Sequence, residues 1–193
     1  MRYYQAYSDF TAQEKSVSAL YGMLALLEQD HRNTALLCPI VVFMAFSIES
    51  YVNTLGARAV PFWDAIERLQ WRAKLEILHT TTGATPDWSR GPLQFASEVF
   101  RLRDRLAHGK PERVYGEKVL DGAEPWKMVF GEGLQPKWFK SITRDWVLDS
   151  RDRFRQMMTY LESLMGHDEG DHLLAATSSV LLVDEATTAP SDG

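Results

Sequence analysis

Residues 35–58 read ALLCPIVVFMAFSIESYVNTLGAR. Wound as a helix from about Pro39 to Arg58, this stretch puts Ile40, Val41, Val42, Phe43, Met44, Phe46, Ile48, Val52 and Leu55 on nearly every side. A helix without a polar face is stable only where neighbours cover it all round, so the stretch predicts the centre of a helical bundle. Pro39 fits its first turn, where the missing N–H has no partner to lose. The longest apolar run, Ala35 to Ile48 with Pro39 and Ser47 inside it, is 14 residues long and ends at Glu49. That is short for a bilayer span and reads as a core helix.

The flanking segments supply the neighbours. Upstream, Phe10, Val17, Leu20, Leu24, Leu27 and His31 form one stripe and predict a helix from about Asp9 to Asp30. Downstream, Pro61 restarts the chain into a third helix with Phe62, Ile66, Leu69, Ala73 and Ile77 as its stripe, closed by Thr80-Thr81-Thr82-Gly83. A fourth helix opens at Gly91-Pro92, carries Phe95, Val99, Leu102 and Leu106, and stops after His108 at Gly109 and Pro111. Residues 110–140 hold Pro111, Gly116, Gly122, Pro125, Gly131, Gly133 and Pro136 and predict a long loop, with a hairpin around Trp126–Phe130. Thr143 caps a last helix striped by Val147, Ser150, Phe154, Met157, Leu161 and Leu164. The expected fold is all-α: an up-and-down bundle of four to five helices with a long loop before the last.

The chain has 193 residues and a mass of 22.0 kDa, the size of one domain. With 45% hydrophobic and 24% charged residues, composition excludes a disordered chain. A single cysteine, Cys38, excludes an internal disulfide and a thiolate zinc cage, and fits a reducing compartment. The opening MRYYQAYSDF has no apolar h-region of a secretory signal, so a soluble cytoplasmic protein is expected. The net charge of −5 is unevenly spread: of the 26 acids, six lie in residues 167–193, leaving 20 against all 21 bases in residues 1–166. The division expected is therefore a helical domain over 1–166 and an acidic, flexible tail over 167–193. A short ordered piece is expected at Val180–Val183, and tail deletion should barely move the melting temperature.

The bases are concentrated near the end of the fourth helix. Residues 99–113 contain Arg101, Arg103, Arg105, Lys110 and Arg113 against Asp104 and Glu112. Arg103 and His108 are five apart, about 7.5 Å of rise and about 140° around the helix. Asp104 is four before His108, on the same face, where its carboxylate can orient the imidazole and raise its pKa. Spacing alone decides little: 14 Arg and 5 His in this chain give about 0.4 Arg-x4-His pairs by chance. Two readings stay open. His108 and the arginines are a solvated, dipole-favoured helix end, or they are a site for phosphate chemistry.

The segment Arg103-Asp104-Arg105-Leu106-Ala107-His108-Gly109 resembles the signature of the HEPN superfamily, an Arg followed by a polar residue and, a few residues on, a His ending a helix. Phe46-Ser47-Ile48-Glu49-Ser50-Tyr51-Val52-Asn53 is similar to that family's second helix, and Lys74-Leu75-Glu76-Ile77-Leu78 to the helix that follows. Gly109-Lys110-Pro111, a variable loop, Trp138 and a long last helix continue the likeness over about residues 10–166. The resemblance implies a homodimer with both motifs at one cleft, and a metal-independent endoribonuclease acting in defence or toxin–antitoxin stress response. It also implies single-stranded or structured RNA as substrate and a regulatory partner such as an antitoxin; other members keep the fold as a non-catalytic RNA- or nucleotide-binding module. No cofactor, metal or membrane is implied. Arg103, His108 and Asp104 are then the catalytic candidates, with Arg101, Arg105, Lys110 and Arg113 on RNA phosphates. Two departures stand out: Asp104 occupies a position often held by Asn, and Lys110 replaces the Tyr of members silenced by a nucleotidyltransferase.

Glu49 and Asn53, four apart on the most apolar helix, are either a polar pair satisfied inside the bundle or the groups that hold Arg103 or His108 in place. Trp126 and Trp138, in the loop, are candidates to stack on a base or cover the cleft. The run His167-Asp168-Glu169-Gly170-Asp171-His172 has ligand types but no metal-loop spacing.

Overall fold

The computed structural model describes residues 2–116, 118, 133–174 and 177–184. In chain order its elements are β1 (Arg2–Asp9), α1 (Ala12–Gln29), α2 (Leu37–Ala59), α3 (Trp63–Ile66), α4 (Trp71–Thr82), α5 (Gly91–His108), α6 (Lys137–Lys140), α7 (Arg144–Met165) and β2 (Thr177–Asp184). Single 3-10 turns lie at Thr34–Leu36 and Asp171–Leu173. The fold is mostly helical with one small two-stranded sheet.

α2 is the axis. It packs against α1, α4, α5 and α7, and Ile40, Val41, Met44, Ala45, Ile48, Tyr51, Val52 and Leu55 are all buried. With the preceding turn, Thr34–Ala59 runs 26 residues at a mean hydropathy of 1.9, long and apolar enough to cross a membrane by length and composition. The apolar run counted to Ile48 understates that length. Here the four neighbouring helices cover part of it, while Phe46 stays exposed and Val42 and Phe43 are half-buried, so the cover expected all round is incomplete.

Two polar clamps set how the outer helices sit. Glu98 on α5 accepts from Trp146 Nε1 and Arg153 Nη2 of α7, both at 2.9 Å. Buried His79 on α4 lies 2.6 Å from the Leu75 carbonyl through Nδ1 and 2.5 Å from the Tyr160 hydroxyl through Nε2. A carbonyl only accepts, so Nδ1 carries the proton and Tyr160 donates to Nε2.

Three expectations change. The third helix is broken: Phe62 and Leu69 are exposed, and Trp63 is buried instead. Trp63 lies against Gly56 of α2, where any Cβ would run into its indole. Seating that indole ends the first piece, and the chain turns over residues 67–70 before α4 begins. The first helix starts at Ala12, not Asp9; the preceding residues form β1 and leave Phe10 exposed. Of the predicted loop, the Trp126–Phe130 hairpin lies outside the described residues.

The third change concerns the segment after Gly166. β2 includes the expected ordered piece at Val180–Val183 and pairs antiparallel with β1, Tyr3 opposite Val183 and Tyr7 opposite Ser179. Residues 170–172 dock on the body. Asp171 Oδ2 accepts from Tyr51 at 2.9 Å and from Arg58 at 2.8 Å. Burial, reinforced by the hydrogen bond and charge of Asp171, pushes the Tyr51 hydroxyl above its ordinary range and keeps it a donor. His172 is buried, and Glu162 Oε1 accepts from its Nδ1 at 2.6 Å, from its backbone N–H at 3.1 Å and from that of Gly170 at 3.0 Å. Packing therefore continues past the boundary expected at residue 166.

Deleting residues 170–193 would strand the buried Glu162 carboxylate and the Tyr51 hydroxyl. Leaving a buried carboxyl group and a buried hydroxyl without their hydrogen-bond partners costs about 2 kcal/mol or more, which for a chain of this size lowers the melting temperature by about 4–8 °C. Calorimetry on the truncated chain checks this; a fall below about 2 °C would show that the docked turn carries no stability.

Candidate functional site

The fourth predicted helix is present with its predicted ends. In α5, Leu93, Phe95, Ala96, Val99, Phe100 and Leu102 are buried, which turns the opposite side outward. Gly109 follows because a Cβ there would strike the Arg105 carbonyl oxygen. The chain can therefore leave the helix close against its own last turn and continue as a wall.

That wall, α5 and the start of α4 enclose a cleft of about 650 Å³, a size that suits a small ligand or one unit of a polymer. Ser97, Phe100, Arg101, Asp104, Arg105 and His108 line it from α5, clustered on one face by spacings of three and four. Lys110, Pro111 and Glu112 close one side, and Trp71 and Arg72 of α4 the other. Trp71 stacks flat on Phe100 with centroids 4.1 Å apart and planes 4° apart. Trp88 meets Trp71 edge-on at 5.7 Å, and the Arg72 guanidinium sits 4.3 Å above the Trp88 ring. The floor is aromatic and the rim cationic.

Of the residues picked from sequence, the structure brings His108, Asp104, Arg101, Arg105 and Lys110 together at this cleft. Arg113 is exposed and does not line it. Nor does Arg103. Its side chain, 21% exposed, turns toward α2, with Nη2 3.6 Å from Glu49 Oε2 and Nε 3.3 Å from Asp104 Oδ1. Neither contact has hydrogen-bonding geometry, and the Nε atom is buried without a hydrogen-bond partner. The guanidinium carbon lies 5.2 Å from the Phe100 ring centroid. Among the described residues no hydrogen bond joins Asp104 to His108. In place of the expected carboxylate–imidazole contact, Asp104 makes an ion contact with Arg103.

Glu49 and Asn53 meet a residue that sequence reasoning did not single out. Lys74 of α4, its side chain only 3% exposed, donates from Nζ to Asn53 Oδ1 at 2.9 Å and lies 3.7 Å from Glu49 Oε1. Glu49 thus bridges Lys74 and Arg103, and a chain of alternating charge runs from α4 through α2 to α5. Glu49 and Asn53 are both half-buried; they share Lys74, and Glu49 also contacts Arg103. Trp71, Arg72 and Glu112 were likewise missed. Trp138, expected to stack or cover, donates from Nε1 to Glu112 Oε2 at 3.1 Å and ties the wall to α6. Trp126 lies outside the described residues.

No protein-family model matches this chain, and neither a curated protein nor a solved structure does. Permanent cations over an aromatic floor suit a phosphate joined to a flat base, and an imidazole at the rim can carry a proton in either direction near neutral pH.

The buried lysine gives a check on this frame. Lys74→Met keeps the chain length but leaves Asn53 Oδ1 without a donor and Glu49 with one cation fewer. Because Glu49 is partly hydrated, the expected loss is about 2 kcal/mol rather than the full cost of a broken buried pair. That corresponds to a melting temperature lower by about 4–8 °C, measured by calorimetry.

Proposed function

We propose that this protein is a metal-independent endoribonuclease of the HEPN type, acting as a homodimer on single-stranded or structured RNA. The observation that carries the reading is the placement of His108 on a cleft lined by four cations, Arg101, Arg105, Lys110 and Arg72, against two carboxylates, Asp104 and Glu112. The order of helices and the Gly109 exit support the resemblance that suggested it.

In this reading the cleft cations hold the scissile phosphate and stabilise the charge that builds on its oxygens. A base takes the proton of the 2′-hydroxyl, whose oxygen bonds to phosphorus. The bond from phosphorus to the 5′-oxygen breaks, and an acid protonates that oxygen. The products are a 2′,3′-cyclic phosphate and a 5′-hydroxyl. His108 performs one proton transfer. One chain offers one such imidazole, and a two-fold partner offers the second. A role in defence or in a toxin–antitoxin pair, a regulatory partner protein and a reducing, cytoplasmic setting belong to the same proposal.

The second reading, a non-catalytic RNA- or nucleotide-binding module on the same fold, is favoured by the position of Arg103, held by Glu49 and Asp104 outside the cleft lining. One experiment separates the two. End-labelled RNA incubated with the protein in EDTA should give cyclic-phosphate ends, and His108→Ala should cut the rate by about 100-fold or more without changing helix content. Sedimentation should give about twice 22.0 kDa. Cleavage that persists in His108→Ala, or that needs a divalent ion, defeats the catalytic proposal. Binding without cleavage selects the second reading.

A further inference from the structure

The motif arginine and the cleft arginines face different neighbours. On the α5 wheel Arg103 lies about 140° from His108, whereas Arg105, three residues before His108, lies about 60° from it. Arg105 is exposed and lines the cleft. Arg103 is largely covered, with both flanking carboxylates on it and the Phe100 ring beside it. An anion reaching Arg103 in this position would meet Glu49 and Asp104 first.

We propose that Arg103 is a positioning residue, which ties the end of α5 to α2 through Glu49, and that Arg105 is the guanidinium that meets an RNA phosphate. This rests on the RNA-directed reading above and deepens it. The contact with Glu49 at 3.6 Å is a charge contact without a hydrogen-bonded fork, so an ammonium at position 103 serves it nearly as well. Arg105, by contrast, works through the paired donors that a phosphate accepts. The sequence Lys74, Glu49, Arg103 then fixes the azimuth of α5. That azimuth sets where His108 stands relative to the cleft.

The test uses the full chain and a fluorescein-labelled, 2′-O-methyl single-stranded oligonucleotide, which lacks the attacking hydroxyl and reports binding alone. Removing one cation that neutralises a phosphate lowers the slope of log binding constant against log salt by about 0.7. Arg105→Gln should show that drop with a melting temperature little changed, since it loses only the favourable position of its charge at the helix end. Arg103→Gln should keep the wild-type slope, melt earlier, and lose cleavage rate on unmodified RNA with KM little changed. Arg103→Lys should restore most of that rate, and Arg105→Lys should not restore the wild-type affinity, since an ammonium keeps the charge and loses the fork. Glu49→Gln should reproduce the Arg103→Gln loss, and the double variant should be no worse than either single. A slope lowered in Arg103→Gln but not in Arg105→Gln, or additive losses in the double variant, overturns the inference while leaving endoribonuclease activity standing. Wild-type protein that binds the oligonucleotide and cleaves nothing defeats the catalytic reading, and the slopes still decide between the two arginines. Wild-type protein that does not bind it overturns the assignment of Arg105.

Discussion

The burial of α2 is the constraint on which the remaining architecture depends. Its buried stripe, from Ile40 to Leu55, is covered by α1, α4, α5 and α7, and covering it fixes the approach of each. The hydroxyls of Ser47, Ser50 and Thr54 on α2 donate back to its own carbonyls, while its longer polar side chains meet partners from neighbouring segments. Tyr51 finds Asp171 on one side. Asn53 and Glu49 find Lys74 and Arg103 on another. The requirement that buried polar groups be paired therefore links the core directly to the helix that bears the candidate site.

α5 carries two programmes on one periodicity. Its inner stripe fills the core, and the outer stripe from Ser97 to His108 lines the cleft. Because both repeat every three to four residues, a rotation of the helix that would improve one degrades the other. Three polar contacts oppose such a rotation: Glu98 with Trp146 and with Arg153 toward α7, and Arg103 with Glu49 toward α2. The first two sit near the middle of the helix and the third near its end, so the last turn is held from the α2 side by Arg103 together with the buried Leu102.

The helical core was legible because its signal is local. The stripes of α2, α5 and α7 each lie within one segment, and the Gly109 and Thr143 boundaries are set by neighbouring residues. What escaped depends on distant pairs. Arg2–Asp9 and Thr177–Asp184 are short and strand-like only when paired with each other across most of the chain. The break after Ile66 follows from Trp63 seating against Gly56 and Trp71 against Phe100, contacts that no periodicity within residues 61–82 encodes. At the site, Arg101, Arg105, Asp104 and His108 share a face by spacing alone, and the structure keeps them together. The role of Lys74 was not legible, because a buried lysine is recognisable only once its acceptors on another helix are known. The direction of Arg103 was hidden for the same reason, since Glu49 lies far away in sequence on another helix.

The concentration of cations at the end of α5 has a structural explanation that competes with a functional one. The carboxyl end of a helix carries partial negative charge, and Arg105 and His108 in the last turn of α5 are favoured there whatever the protein does. That account predicts cations on any side of the last turn. It gives no reason for one at the start of α4, where the partial charge is positive and a cation is disfavoured. Arg72 is such a residue, in the first turn of α4, and it faces the same cleft as Arg101, Arg105, His108 and Lys110. Glu76 at 3.6 Å and the Trp88 ring offset its local cost. Convergence of cations from two helices, one of them against its own dipole, is what an anion-binding cleft requires and what helix stability alone does not supply.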